Sequence, residues 1–296
     1  MAALPPIHRW DQVVQARAAV HIVHGLVEHG QRYARLAAAL NAAHFNVWAH
    51  DHRGHGINPE PGLTGNFADR DGWRTVVDDT WAVSSAMRAA FPALPLVLFA
   101  HSMGSFVGQT LMGEHGADYH AVVLSGSNGA PGFQEGVARG LARAQALIGP
   151  REPGRAVSSL VLGTYNRQFA PTRTPHDWLS RDTHEVDKYA ADPMCQFQLT
   201  GQAWIDFLDG KRHLGTPGQV SLIRKDLPVY LWSGARDAVG ESSKGVTRLF
   251  EAYRAADMMR VAMQLYPEAR HEMVNETNRD AATADLVAWI DSALQP

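Results

Sequence analysis

The sequence has little cysteine and few lysines, and neither sign of charge dominates it. Cys195 is the only cysteine among 296 residues, so the chain forms no internal disulfide and its fold does not depend on an oxidising compartment. Lys and Arg together number 27 against 30 Asp and Glu, which gives a formal net charge of −3 at pH 7. This balance gives no indication of a nucleic-acid partner.

Long apolar runs are also missing. No stretch approaches the ~18 apolar residues of a membrane-spanning helix, and the first part of the chain lacks the apolar core of a signal peptide. We therefore expect a cytoplasmic protein. Hydrophobic residues make up 45% of the chain, which suits a globular protein with a sizeable core. The oligomeric state stays open.

What the sequence does contain is a regular alternation of apolar strands and helices. Short apolar runs at 18–23, 45–48, 96–99 and 121–124 are separated by helix-compatible stretches. This order predicts an α/β fold with a mostly parallel, doubly wound sheet. The alternation stops after residue 127 and resumes near residue 228. We therefore predict a sheet domain made of residues 1–127 and 216–296, with a helical cap inserted at 128–215.

The strand at 96–99 leads into Ala100-His-Ser-Met-Gly104, and a helix-compatible run follows. A strand, a sharp turn and a helix form the context in which a G-x-S-x-G motif exposes a nucleophilic serine, here Ser102. The motif departs from this pattern at its first position, where the small residue Ala100 replaces glycine. An ordinary strand-to-helix turn is the alternative interpretation of this stretch taken alone.

Two further polar residues follow the last two predicted strands. Asp237 comes shortly after the strand at 228–232, and His271 comes after the strand at 261–266. Ser102, Asp237 and His271 thus occur in the chain order of a hydrolase triad, each after a different strand. Because parallel strands end at one edge of a sheet, we expect the three side chains to meet there. His271 would take the Ser102 proton, and Asp237 would orient the imidazole.

A nucleophilic serine also needs donors for the oxyanion of its tetrahedral intermediate. The backbone N–H of Met103 follows the nucleophile and opens a helix, so it is the first candidate. The loop after the first core strand supplies the second, for which the N–H of Leu26 is our prediction.

Metal and cofactor signals are absent from the sequence. The stretch His271-Glu-Met-Val-Asn275 lacks the second histidine of a zinc-binding H-E-x-x-H motif. No strand leads into a G-x-G-x-x-G or phosphate-binding loop. The sequence contains fifteen histidines, and those near strand ends and turns are interpreted as hydrogen-bonding residues. We expect no metal and no cofactor.

These motifs together resemble one family. His24-Gly-Leu-Val-Glu-His29, Asp51-His-Arg-Gly-His-Gly56, His101-Ser-Met-Gly104, Ser233-Gly-Ala-Arg-Asp237 and Arg270-His271 are similar to those of the monoacylglycerol lipase and lysophospholipase group of α/β-hydrolases. The likeness extends into the cap at Ser180-Arg181, Glu185-Val-Asp187 and Tyr189. It implies the α/β-hydrolase fold with an inserted helical cap.

The resemblance also implies a polar pocket for the glycerol head. Glu28, Arg32 and Tyr189 are the residues that match the family there, and His101, next to the nucleophile, is grouped with them as a substrate-binding candidate. A surface ion pair between Glu28 and Arg32, and a packing role for Tyr189 in the cap, are the alternatives.

Two features of the cap have open interpretations. The run 157–162 is either a lipid-facing helix, through which the cap touches a membrane or micelle transiently, or the core of the cap itself. Cys195 is either a thiol that reacts near the acyl channel or a buried, inert side chain.

The expected function is that of a serine hydrolase acting on a small lipid ester. The resemblance favours cleavage of monoacylglycerols to fatty acid and glycerol through an acyl-enzyme on Ser102. A lysophospholipase or a general carboxylesterase of the same fold is the main alternative. An acyltransferase and a non-catalytic ligand-binding homologue are further ones.

Overall fold

A single seven-stranded sheet organises the chain. The computed structural model describes residues 4–57, 62–130 and 132–295. The strands are β1 (Ile7–Trp10), β2 (Ala18–Val23), β3 (Phe45–His50), β4 (Leu96–His101), β5 (Ala121–Ser125), β6 (Val229–Gly234) and β7 (Val261–Tyr266). Their order is β1-β3-β2-β4-β5-β6-β7. Only β1 pairs antiparallel, with β3, and all other neighbours are parallel.

The central strands are buried along their whole length because helices cover both faces of the sheet. Every residue of β2 to β6 is buried, whereas β7 at the edge is mostly half-buried. The helices against the sheet are α1 (Ala34–Ala42), α2 (Gly72–Ala90), α3 (Met103–His115), α9 (Lys244–Ala255) and α10 (Arg279–Ala293). Such burial on both faces is typical of a doubly wound parallel sheet.

Two hydrophobic clusters lie on opposite faces of the sheet. Leu40 of α1 and Ile290 of α10 belong to the cluster on one face. Val77 of α2, Val107 of α3 and Leu249 of α9 belong to the cluster on the other. Within the described ranges, no helix is long and apolar enough to cross a membrane.

Helices fill the interval between β5 and β6, as predicted. They are α4 (Phe133–Ala146), α5 (Arg155–Tyr165), α6 (Thr183–Ala191), α7 (Gly201–Gly210) and α8 (Pro217–Val220). In α5, Val157 is fully buried, whereas Leu160 is exposed and Val161 is half-buried. The run 157–162 therefore both packs into the cap and reaches its surface. The cap boundaries at residues 128 and 215 remain a prediction.

Candidate active site

Ser102 stands at the sharp turn between β4 and α3. Its backbone has φ 52° and ψ −120°, a strained conformation for a residue with a side chain. The Ser102 N–H donates to the Ser125 carbonyl at 2.9 Å, which ties the turn to β5. A Cβ at Gly104 would lie 2.3 Å from the Val23 carbonyl oxygen, so glycine lets α3 approach β2 closely. Ala100 is fully buried in β4, where the small side chain fits.

Asp237 and His271 meet at the ends of the neighbouring strands β6 and β7. The His271 Nδ1 atom lies 2.9 Å from Asp237 Oδ1, and both residues are buried. Asp237 Oδ1 also accepts the Val239 N–H at 2.9 Å, and Oδ2 accepts the Ser233 hydroxyl at 3.3 Å. Because Nδ1 donates to the carboxylate, Nε2 is the nitrogen available to act as a base.

Asp237 and His271 shift each other's pKa in opposite directions. Burial alone would raise the pKa of Asp237, but the charge and hydrogen bond of His271 hold that pKa below its usual value. Burial likewise lowers the pKa of His271, and the surrounding carboxylates, Asp237 foremost, outweigh burial and raise the pKa above its usual value. The pair therefore favours an ionised carboxylate beside an imidazole that readily takes a proton.

Ser102 and His271 line the same cavity. Within the described residues, the Ser102 hydroxyl makes no hydrogen bond, and it remains partly accessible. Gly126, after β5, lies directly against the imidazole. It has φ +56°, and a Cβ there would lie 2.8 Å from His271 Cε1. Only glycine leaves room for the ring at this position without backbone strain.

The cap covers His271 from the other side. The Trp178 ring centroid lies 5.0 Å from that of His271. The N–H of Glu272 donates to the Leu179 carbonyl at 2.8 Å, so the cap backbone is bonded to the loop that carries the histidine.

The loop after β2 is held by two histidines. His24 Nε2 accepts the backbone N–H of His52 at 3.0 Å, which leaves the proton on Nδ1. Nδ1 lies 2.7 Å from the Gly25 carbonyl and donates to it. The N–H of Leu26 belongs to the same peptide plane as that carbonyl and points the opposite way. It has no hydrogen-bond partner in the described part of the chain.

The N–H of Met103 stands at the first residue of α3, where helical N–H groups have no intrahelical acceptor. Leu26, Met103 and Ser102 all line the cavity. The two N–H groups predicted as oxyanion donors therefore lie near the serine. Neither donates a hydrogen bond to another described residue.

A buried charge cluster forms one wall of the cavity. Both terminal nitrogens of Arg32 donate to Glu272 at 2.7 Å, and Nη1 also donates to Glu28 at 2.6 Å. Glu28 further accepts the Tyr33 hydroxyl at 2.9 Å and the Gly25 N–H. Burial would raise the pKa of Glu272, but Arg32 lowers it to about 2. Two carboxylates thus share one guanidinium.

The four predicted substrate-binding residues differ in their access to the cavity. Glu28, His101 and Tyr189 line it, whereas Arg32 is not among its lining residues. The guanidinium carbon of Arg32 lies 4.9 Å from the centre of the Tyr189 ring. The Tyr189 hydroxyl donates to the Val27 carbonyl at 3.0 Å. Burial, followed by the charge of His271, lowers the pKa of His101 to about 4, so its ring is neutral at pH 7.

The cavity itself has a volume of about 340 Å³ and lies between the sheet edge and the cap. A pocket of this size falls in the range of small-molecule sites. Its apolar lining comes mainly from α3, α5 and α7, with Phe106, Val161, Leu162, Trp204 and Phe207.

One group of side chains in the described ranges has the spacing of metal ligands. It consists of His29, Asp192 and Cys195. His29 Nε2 is bonded to Asp192 at 2.8 Å, and burial raises the pKa of the Cys195 thiol, which keeps it protonated.

Sequence reasoning missed Glu272, Gly126 and Trp178. Glu272 directly follows His271, but its partner Arg32 is 240 residues away in the chain. Gly126 follows a predicted strand, which is a signal that could have marked it. Nothing in the sequence indicates that Trp178 packs on the histidine.

Comparison with known proteins agrees with this geometry. Residues 14–278 match the model of the Hydrolase_4 family, described as serine aminopeptidase, S33. Monoacylglycerol lipase of Mycolicibacterium smegmatis is 27% identical over 285 residues, covering 96% of this chain and 92% of that protein. Monoglyceride lipase of Homo sapiens is 26% identical over 269 residues, covering 90% and 79%.

Among solved structures, a thermostable carboxyl esterase from Bacillus coagulans in complex with glycerol superposes with a TM-score of 0.90. It is 24% identical, and the match covers 98% of this chain and 94% of the esterase. The fold is therefore that of the α/β-hydrolases, as the sequence predicts. The chain belongs to the Hydrolase_4 family. It is an enzyme of the carboxylic ester hydrolase class, similar to monoacylglycerol lipases.

Proposed function

We propose that the enzyme hydrolyses monoacylglycerols to fatty acid and glycerol through an acyl-enzyme on Ser102. The observation that carries this proposal is the hydrogen bond of 2.9 Å between Asp237 and His271. His271 lines the same cavity as Ser102, which stands on a strained turn. The named relatives act on this substrate class according to their names. The proposal extends their activity to this chain.

In the first half-reaction, His271 Nε2 removes the Ser102 proton while Oγ attacks the ester carbonyl. The tetrahedral intermediate forms with its oxyanion on the N–H groups of Leu26 and Met103. The ester C–O bond then breaks, and His271 returns the proton to the departing glycerol oxygen. Water repeats the sequence on the acyl-enzyme, releasing the fatty acid and restoring Ser102. Asp237 stabilises the imidazolium in both halves.

The charge of the polar wall supports glycerol rather than a phosphorylated head group. Glu28 and Glu272 face the cavity with only Arg32 between them, so the wall has an excess of one negative charge. The oxygens of these carboxylates accept hydrogen bonds from hydroxyl groups. A phosphate group brought against them would meet like charge in a site shielded from water, which is costly.

Contact with a lipid surface through the cap is part of the proposal. Leu147 and Ile148 directly follow α4 of the cap and are 90% and 89% exposed. Large apolar side chains exposed together mark contact surfaces, and a pair of them on the cap would bring the enzyme to a lipid surface.

The deciding experiment measures fatty-acid release from a monoacylglycerol and from lysophospholipids with the same acyl chain. Ser102→Ala protein is the control, with circular dichroism to verify its fold. Release from the monoacylglycerol, absent in Ser102→Ala and at least about tenfold slower from the lysophospholipids, is expected. Equal or faster lysophospholipid cleavage would make the enzyme a lysophospholipase. Full activity of Ser102→Ala would overturn the mechanism.

A further inference from the structure

The apolar part of the cavity contains an ion pair that an unmodified acyl chain does not need. Lys211 follows α7 and is 6% exposed. Its Nζ donates to Glu135 Oε1 at 2.8 Å and lies 4.3 Å from the centre of the Phe106 ring. Both charged residues line the cavity that holds Ser102.

This pair is close to the reacting atoms. Phe106 follows Ser102 by four residues on α3, a rise of about 6 Å along a helix. The Phe106 N–H donates to the Ser102 carbonyl, so the two residues belong to the same helical turn. The ammonium group packed on the Phe106 ring is therefore within reach of a medium-length acyl chain attached to Ser102.

The pair also separates two cavities. A second cavity of about 620 Å³ lies between α4 and α5. Glu135, Lys211 and Tyr165 line both cavities. A ligand group at this boundary would contact the polar atoms of these three residues. Val161 and Phe207 also line both cavities and offer only apolar contacts.

Three hydrogen-bonding groups at the boundary are incompletely used. Glu135 Oε2 is buried and accepts no hydrogen bond from any described residue. The Tyr165 hydroxyl likewise has no partner in the described part of the chain. Lys211 has three N–H donors, of which Glu135 takes one. A buried carboxylate oxygen without a donor is unfavourable, and a bound donor relieves that cost.

The charges decide which ligand group fits. Lys211 and Glu135 neutralise each other, so no net charge remains at the boundary to offset the desolvation cost of an added carboxylate or ammonium. A hydroxyl group is neutral and can both donate to Glu135 Oε2 and accept from Lys211 or Tyr165. An apolar methylene at the same place would leave Glu135 Oε2 and the Tyr165 hydroxyl without a partner.

We propose that Glu135, Lys211 and Tyr165 form a subsite for a hydroxyl group on the acyl chain, so that esters of hydroxylated acids are preferred substrates. This inference rests on the proposed function and narrows its substrate class. It assigns the subsite to the acyl side of the cavity, whereas Glu28 and Glu272 are assigned to the alcohol side.

The test compares glycerol decanoate with glycerol esters of hydroxydecanoic acids in which the hydroxyl moves along the chain. We expect at least one isomer to exceed decanoate in kcat/KM by about tenfold, the factor expected of one good hydrogen bond. The advantage should disappear in the Lys211→Met/Glu135→Leu variant, whose activity on plain decanoate should rise. Lys188→Met, which removes an exposed lysine of the cap, should keep the preference. Equal kcat/KM for decanoate and all isomers would overturn the subsite.

A binding measurement separates this inference from the proposed function. Calorimetry on Ser102→Ala protein, with the same intact esters, reports affinity without turnover. Tighter binding of one hydroxylated ester, lost on Lys211→Met/Glu135→Leu, supports the subsite even if the wild-type enzyme cleaves no glycerol ester. Equal affinity for plain and hydroxylated esters overturns it even if glycerol decanoate is cleaved well.

Discussion

Both terminal nitrogens of Arg32 donate hydrogen bonds to the carboxylate of Glu272, at 2.7 Å each. The same guanidinium bonds to Glu28, which in turn accepts the Gly25 N–H next to the predicted oxyanion donor. One buried cation thus links the loop after β2 with the loop that carries His271. The stability of the fold and the order of the active site depend on the same side chain.

Replacing Arg32 by methionine leaves two buried carboxylates unpaired. Breaking such a buried charge cluster costs about 3–5 kcal/mol. We expect the free energy of unfolding in urea to fall by this amount. Arg143→Met removes an exposed arginine that pairs with Asp209 at 2.9 Å, and it should cost about 1 kcal/mol or less. Similar losses in the two variants would contradict the buried role of Arg32.

The Asp237→Asn variant tests the pair with His271. Loss of the carboxylate should lower kcat by about 10³–10⁴-fold. In the wild type, His271 must be neutral to accept the serine proton, so kcat/KM rises with pH through the His271 pKa. Because that pKa is raised, the midpoint of the acid limb should lie above the ordinary histidine value of about 6.5.

In Asp237→Asn, burial becomes the dominant influence on His271 and lowers its pKa. The acid limb of the residual activity should therefore move to lower pH. A pH profile of kcat/KM for wild type and variant measures both effects. An acid limb that stays at the same pH in the variant would show that Asp237 does not set the His271 pKa.

His24 should act as a positioning residue for the oxyanion. His24→Phe removes the hydrogen bond to the Gly25 carbonyl and frees the Leu26 peptide to turn. Loss of one oxyanion donor lowers kcat by about 10²–10³-fold. KM should change little, and the affinity for a trifluoromethyl ketone analogue of the tetrahedral intermediate should fall in parallel with kcat.

The control for His24 is His21→Phe. His21 is also fully buried and bonds to Ser84 and His50, away from the loop. It should lower the melting temperature but leave kcat and inhibitor affinity close to wild type. If both variants lower kcat equally, the effect of His24 is general loss of structure.

Gly126→Ala tests the space around the imidazole. The new methyl group would collide with His271 and displace the ring, and a displacement of about 1 Å can cost 10²-fold in rate. We expect kcat to fall by about 10–100-fold. Gly62→Ala is the matched control, because Gly62 also has positive φ, +85°, with open space around its Cβ position. Both should lose stability through the strain of a positive φ, and only Gly126→Ala should lose activity.

Contact of the cap with a lipid surface should affect binding to membranes but not the hydrolysis of a dispersed, water-soluble substrate. Leu147→Asp combined with Ile148→Asp should reduce binding to phosphatidylcholine vesicles about tenfold or more, since two exposed apolar side chains are lost. Hydrolysis of a water-soluble short-chain ester should be unchanged. Leu222→Asp, at a 66% exposed leucine on the sheet domain, should leave vesicle binding intact. Unaltered vesicle binding of the double variant would contradict contact through these two side chains.

Much of the fold was predictable because local rules determine it. Continuous apolar runs mark strands that are buried on both faces, and β2 has the predicted limits of Ala18 and Val23. Ends were harder to predict: β3 continues to His50, because a buried histidine can remain in a strand when it finds a partner such as His21. Hydropathy gives no warning of such pairs.

The site was predictable where chain order and strand ends define it. Ser102, Asp237 and His271 follow strands that the sequence marks clearly, and a parallel sheet brings such ends together. The cap was not predictable in the same way. Lys211 stands at the polar end of a helix in sequence, yet the cap folds its ammonium over Phe106 and into the cavity. Only tertiary packing determines which way such a side chain turns.

Three ion pairs join the segment at the start of α6 to the sheet domain. Arg181 pairs with Glu276, Asp182 with Arg279, and Glu185 with Arg35, all at 2.7 or 2.8 Å. Together with the Leu179–Glu272 backbone bond, they fasten this segment on both sides of the histidine loop. A hinge motion that widens the entrance would break these contacts if it involved α6.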